Sequence, residues 1–131
     1  MVKIRFVDDS PTQEMWGMIE DYLRENGYEF EVVSMNQEGL LGIELDPPEV
    51  VLVEITPREC TKYLMRASGL EFIEEILRRN PQMKVIALMA TVTDELLEEL
   101  KRLGVEEHID KLELAMRLEV LLETLARVKK V

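Results

Sequence analysis

Residues 50–55 read Val-Val-Leu-Val-Glu-Ile, an apolar run with no polar alternation and a single acid one residue from its end. A run of this kind is what a strand covered on both faces shows. Asp46-Pro47-Pro48 comes just before it and ends any preceding helix, because proline cannot continue one. A doubly covered strand needs helices above and below it, and the segments on either side supply them.

Upstream, Val2 to Val7 reads as a buried strand. Ser10-Pro11, with Gln13 three residues after Ser10, provides an N-cap, a first-turn proline and a capping box for a first helix. Met15, Met18, Ile19, Tyr22 and Leu23 repeat there at helical spacing until Asn26-Gly27 stops it. Phe30 to Met35 forms a second strand, followed by a short helix from Glu38 to Leu45. Downstream, the segment from Gly69 to Asn80 carries Leu70, Ile73, Ile76 and Leu77 on one helical face and stops at Asn80-Pro81. Val85 to Ala90 is a fourth strand. Thr93 caps a helix with Leu96, Leu97, Leu100 and Leu103 inward, and Gly104 closes it. His108 to Asp110 is a short fifth strand, and Leu114, Leu118, Leu121, Leu125 and Val128 form the stripe of one final amphipathic helix. Five strands alternating with five helices predict an α/β fold, a doubly wound parallel sheet with right-handed crossovers. Ligands of such sheets sit beyond the carboxyl ends of the strands, where Asp8, Asp9, Glu54, Met89 and Lys111 all fall.

A chain of 131 residues fits one domain spanning 1–131. Its net charge of −11 argues against a nucleic-acid surface, which needs clustered Lys and Arg. The longest apolar stretch, Val85 to Ala90, is far short of the ~20 residues of a membrane span. With no signal-like N-terminus and a single cysteine, Cys60, the expected location is cytoplasmic. There is no Gly-rich phosphate loop, no Ser or Cys nucleophile with a base, and no Cys/His metal set, so the chain is not expected to be an enzyme.

Taken together, FVDDSP, PPEVVLVEI, SGLEFIEEILRRNP, KVIALMA and LGVEEHIDK resemble the receiver domain of two-component response regulators, including the single-domain chemotaxis type, over nearly the whole chain. The resemblance implies a flavodoxin-like (βα)5 fold with strand order 2-1-3-4-5. It also implies phosphoryl transfer to a strand-end acid, with Mg²⁺ neutralising the developing charge and a lysine on the phosphoryl oxygens. On this sequence Glu54 takes the acceptor position and Lys111 the lysine position. Asp9 and Glu54 would ligate Mg²⁺ directly, Asp8 through water, and the Thr56 carbonyl would complete the set. Carboxylates ~4 Å apart at an effective dielectric of ~20 repel by about 4 kcal/mol per pair, so Lys111, Mg²⁺ or a bound proton must compensate.

The sequence departs from the family in places that matter. Glu54 replaces the phospho-accepting aspartate, and a misplacement of about 1 Å can cost on the order of a hundredfold in rate. The longer acid either imitates the modified state or is a solvated strand-end carboxylate. Met89 stands where the family has a Thr or Ser hydroxyl, and a thioether donates no hydrogen bond; read without the family, Met89 is core. His108 stands at the switch-aromatic position, or is a surface residue. Leu112 follows Lys111 where the family has proline. Pro57 to Gly69 is a long insertion in which Arg58, Lys62 and Arg66 share one face. Either Lys62 or Arg66 reaches the carboxylates in place of metal, or the insertion is a solvated extension.

Two functions follow. One is a stand-alone receiver-like signalling module, atypical at Glu54, acting through protein contact. The other is a working Mg²⁺-dependent receiver that accepts phosphate weakly. The partner expected from the resemblance is a histidine kinase or a downstream effector. Contact would run through the fourth helix, fifth strand and fifth helix, where Arg102, Glu106, His108 and Arg117 lie, a surface that could also support a homodimer. Trp16 on the first helix is a fluorescence reporter of Mg²⁺ if it senses the site.

Overall fold

The computed structural model describes residues 2–8, 13–55 and 69–129. Five strands, β1 (Val2–Asp8), β2 (Tyr28–Ser34), β3 (Val50–Ile55), β4 (Lys84–Met89) and β5 (Glu107–Asp110), form one parallel sheet in the order β2-β1-β3-β4-β5. The helices among the described residues are α1 (Gln13–Glu25), α2 (Gln37–Leu45), α3 (Leu70–Arg79), α4 (Asp94–Leu103), α5 (Lys111–Met116) and α6 (Glu119–Lys129). This is the doubly wound, flavodoxin-like architecture with the expected strand order.

Alternate residues of a strand leave opposite faces of the sheet, and here they feed two separate cores. Ile4, Phe6, Val50, Leu52, Ile86 and Leu88 pack with α1, α5 and α6. Val7, Val51, Val53, Ile55, Ala87 and Met89 pack with α2, α3 and α4. Every residue of β3 is buried, as its unbroken apolar run predicts. The same parity fixes what stands at the carboxyl edge. Asp8 continues the face of Phe6 and Glu54 that of Leu52, so both acids leave on the α1 side of the sheet.

Local chemistry sets where the elements begin. Asn36 caps α2 by accepting from the Gly39 amide at 2.8 Å, and Thr93 caps α4 by accepting from Leu96 at 3.2 Å. Gly69, with φ of 100°, opens α3 against the end of β3; a Cβ there would lie 2.6 Å from the Glu54 carbonyl oxygen. Only glycine fits both the left-handed backbone and that close approach. The second strand starts at Tyr28, two residues before the predicted Phe30, directly after the left-handed Gly27.

The predicted single C-terminal helix is instead two, α5 and α6, broken at Arg117 and Leu118. No proline or glycine marks the break. Helix α5 starts with Lys111 immediately after β5, so its direction is set by the strand end. Asp110 caps it by accepting from the Leu112 amide at 2.9 Å. Arg117 leaves helical geometry at φ −144° and ψ 98°, which lets α6 take a new direction along the sheet. Leu114, Leu121 and Leu125 are buried in the core, with Leu118 and Val128 packed against it, so the predicted stripe still faces inward. Arg117 spans the break, 3.8 Å from Glu113 and 3.2 Å from Glu123.

Candidate functional site

Three of the residues singled out by sequence converge at the carboxyl edge of the sheet. Glu54 at the end of β3 accepts from the Lys111 ammonium at 2.6 Å, a short charge-assisted bond. Asp8 at the end of β1 stands beside Glu54 on the neighbouring strand. Both acids are buried, Asp8 at 4% and Glu54 at 7% exposure, whereas the Lys111 side chain keeps 28% of its surface in solvent. Burial pushes the Glu54 carboxyl above the usual carboxylate range, and the neighbouring Asp8 acts in the same direction; Lys111 opposes the shift without cancelling it. The edge is therefore a buried acid pair answered by one ammonium.

A fourth member was not assigned to the site by sequence. Trp16, in the second turn of α1 and 5% exposed, donates its indole N–H to Asp8 Oδ2 at 3.0 Å. Its ring packs on Phe6 with centroids 3.9 Å apart and planes tilted by 42°. Phe6 lies two residues before Asp8 on the same face of β1, so an indole seated on Phe6 presents its N–H edge to Asp8. The Lys111 ammonium lies 5.8 Å from the centre of the same ring, within cation–π range. The signal available in sequence was that a buried Trp on the inner face of a helix must find an acceptor for its N–H.

Met89 is fully buried on the opposite face of the sheet, in the core made with α2, α3 and α4, so its side chain serves packing and does not join the acid pair. His108 pairs with Ala87 in the ladder, is exposed, and lines a groove of about 550 Å³ with Leu97, Leu100, Lys101, Val105 and Glu106. Ile109, one residue on, faces the acid side, and the alternation of β5 turns His108 away from it. Asp9, Thr56, Cys60, Arg58, Lys62 and Arg66 lie outside the described residues.

Two hard carboxylate oxygens are the right kind of donor for Mg²⁺. As arranged, however, Glu54 Oε1 is taken by Lys111 and Asp8 Oδ2 by the indole, and among the described residues no group of three acidic, His or Cys side chains is placed to hold a metal. Of the four expected ligands, Asp8 and Glu54 are the two that lie among the described residues. No helix among them is long and apolar enough to cross a membrane.

No protein-family model and no curated protein matches the sequence. Solved structures do match. The Vibrio cholerae chemotaxis response regulator CheY4 superposes with a TM-score of 0.74 at 25% identity over 98% of both chains. A CheY-like receiver domain protein from Methanospirillum hungatei superposes with a TM-score of 0.70 at 24% identity over 99% of this chain and 98% of that one. A chain from the complex of histidine kinase ThkA with response regulator TrrA gives 0.75 at 22% identity over 99% and 100%. With near-complete coverage on both sides, the same strand order, and an acid pair and a lysine meeting at the carboxyl edge, this chain has the fold of a response-regulator receiver domain.

Proposed function

We propose that the chain is an atypical receiver-like module of two-component signalling that acts through protein contact in one fixed state, not as an enzyme. The observation that carries this reading is the 2.6 Å bond from Lys111 to a buried Glu54. An acceptor must present a free, correctly placed carboxylate oxygen to the incoming phosphorus. Here one oxygen is held by the ammonium, and the carboxyl is buried beside Asp8 with its pKa raised by burial. The residue at the family's hydroxyl position, Met89, faces the other core and supplies no donor to a phosphoryl group. The working-receiver reading keeps one point in its favour, the presence of Asp8 and Lys111 beside Glu54.

A protein partner is supported by what the similar structures are, one of them a kinase–regulator complex. The groove beside α4 and β5 that His108 lines is the face proposed for that contact, and a homodimer through the same face is its alternative occupant.

The test is the intact mass of wild type and Glu54→Asp after incubation with a small phosphodonor and Mg²⁺. Labelling of Glu54→Asp alone is the expected result and makes Glu54 the block. Labelling of wild type overturns the fixed-state reading. If neither is labelled, the edge is a binding scaffold, and what holds it is more than the length of one acid.

A further inference from the structure

We infer that Trp16 is a positioning residue of the acid edge: its indole N–H and ring face hold Asp8 and Lys111 in the places a divalent cation would otherwise hold them, so that the cluster is complete without metal. The inference rests on the fixed-state reading above and concerns how that state is maintained.

The geometry is specific to the N–H edge and not to the bulk of the ring. Packing on Phe6 at 3.9 Å fixes the indole plane, and the N–H then meets Asp8 Oδ2 at 3.0 Å. With Asp8 and Trp16 both nearly excluded from water, neither group has solvent to bond in place of the other, and a bond in that setting is electrostatically stronger than in water. Lys111 reaches Glu54 while staying 5.8 Å from the indole centre. One side chain thus faces both the acid of β1 and the cation that follows β5, across three intervening strand spacings. A divalent ion entering between Asp8 and Glu54 competes with the indole for Asp8 Oδ2 and with the ammonium for Glu54 Oε1. The two contacts together bias the acid pair against the ion.

The contact can be removed at one side chain. Trp16→Phe keeps an aromatic ring at this position and removes the N–H donor to Asp8 together with part of the ring. Titration of the full chain with Mn²⁺ alone, followed by calorimetry and by the electron-spin signal of free Mn²⁺, is expected to show Trp16→Phe binding at least tenfold more tightly than wild type. In wild type, the Trp16 indole proton is expected to exchange slowly with solvent, and Asp8→Ala is expected to raise its exchange rate by at least tenfold while far-ultraviolet circular dichroism stays native. A structural ring with no positioning role moves neither quantity. Equal Mn²⁺ affinity in wild type and Trp16→Phe, including no binding by either, overturns the inference. If Trp16→Phe does not fold, the exchange rate in Asp8→Ala decides it, and an unchanged rate overturns it. Phosphoryl labelling of wild type is a separate result: it sinks the fixed-state reading without altering the Mn²⁺ comparison.

Discussion

Strand β1 buries two charges three residues apart, Arg5 and Asp8, and because of the strand's alternation they leave opposite faces of the sheet. Each face resolves its charge differently. Arg5, 7% exposed, reaches outward, with Nη2 3.3 Å from Asp46 and 3.5 Å from Glu31, two acids that are each about 60% exposed. Its Nη1 is buried with no hydrogen-bond partner among the described residues. On the other face the acids themselves are buried, and their partners Lys111 and Trp16 come in to meet them. A long guanidinium can stand in the core and lean on surface acids. Two short acids cannot reach solvent, so their charge must be answered inside.

The sharpest way to break this comparison is to remove the internal cation. Lys111→Met leaves Asp8 and Glu54 as a buried acid pair without its ammonium. Breaking a fully buried pair costs ~3–5 kcal/mol. Lys111 is partly exposed and Glu54 is able to take up a proton, so the expected loss is about 2 kcal/mol at pH 7 in urea unfolding. The loss should shrink toward pH 5, where protonation replaces the ammonium. A loss unchanged between the two pH values would show that Lys111 contributes by packing, not by charge.

Protonation of Glu54 gives the second, smaller effect, and its sign follows from the raised pKa. The folded state holds the proton more tightly than the unfolded chain, whose value is near 4.5. The stabilisation is fully present below that value and is lost as pH rises through the higher folded pKa. Wild-type stability measured relative to Glu54→Gln should therefore fall with rising pH above ~4.5, by no more than about 1.4 kcal/mol per pH unit for one proton. A difference that rises with pH over that window would mean that Lys111 outweighs burial and Asp8.

The fold was legible in sequence because its signals are local: β3 by its unbroken apolar run, α4 by Thr93 and Gly104, and α1 by its apolar spacing up to Asn26-Gly27. The break between α5 and α6 was not, since neither proline nor glycine marks Arg117-Leu118 and the cause lies in where β5 delivers Lys111. At the site, Asp8, Glu54 and Lys111 were readable as residues at the carboxyl ends of strands. Met89 and His108 lie in the same zone by chain position, yet strand parity sends each to the other face, and parity at a strand end depends on a register that single-sequence boundaries miss by one or two residues. Trp16 went unassigned because its role comes from a contact between α1 and the last residue of β1. Only the packing of its ring on Phe6 turns a core aromatic into a hydrogen-bond donor at the edge.

Removing the other buried charge should do least. Arg5→Met replaces a guanidinium that carries an unpartnered buried nitrogen with a shorter apolar side chain, and replacing buried ionic groups by apolar ones is often neutral or stabilising. The acids left behind do not become buried charges: Glu31 stays in water, and Asp46 keeps Lys3 at 3.2 Å. The Lys3–Asp46 pair that remains is exposed, and such pairs are worth ~0–1 kcal/mol. Stability of Arg5→Met by urea unfolding is therefore expected within about 1 kcal/mol of wild type, and the coupling between Arg5→Met and Asp46→Asn in a double-mutant cycle at less than about 1 kcal/mol. A loss of 3 kcal/mol or more would place Arg5 in the same class as Lys111. The two faces of β1 would then differ only in the sign of the buried charge, not in how that charge is answered.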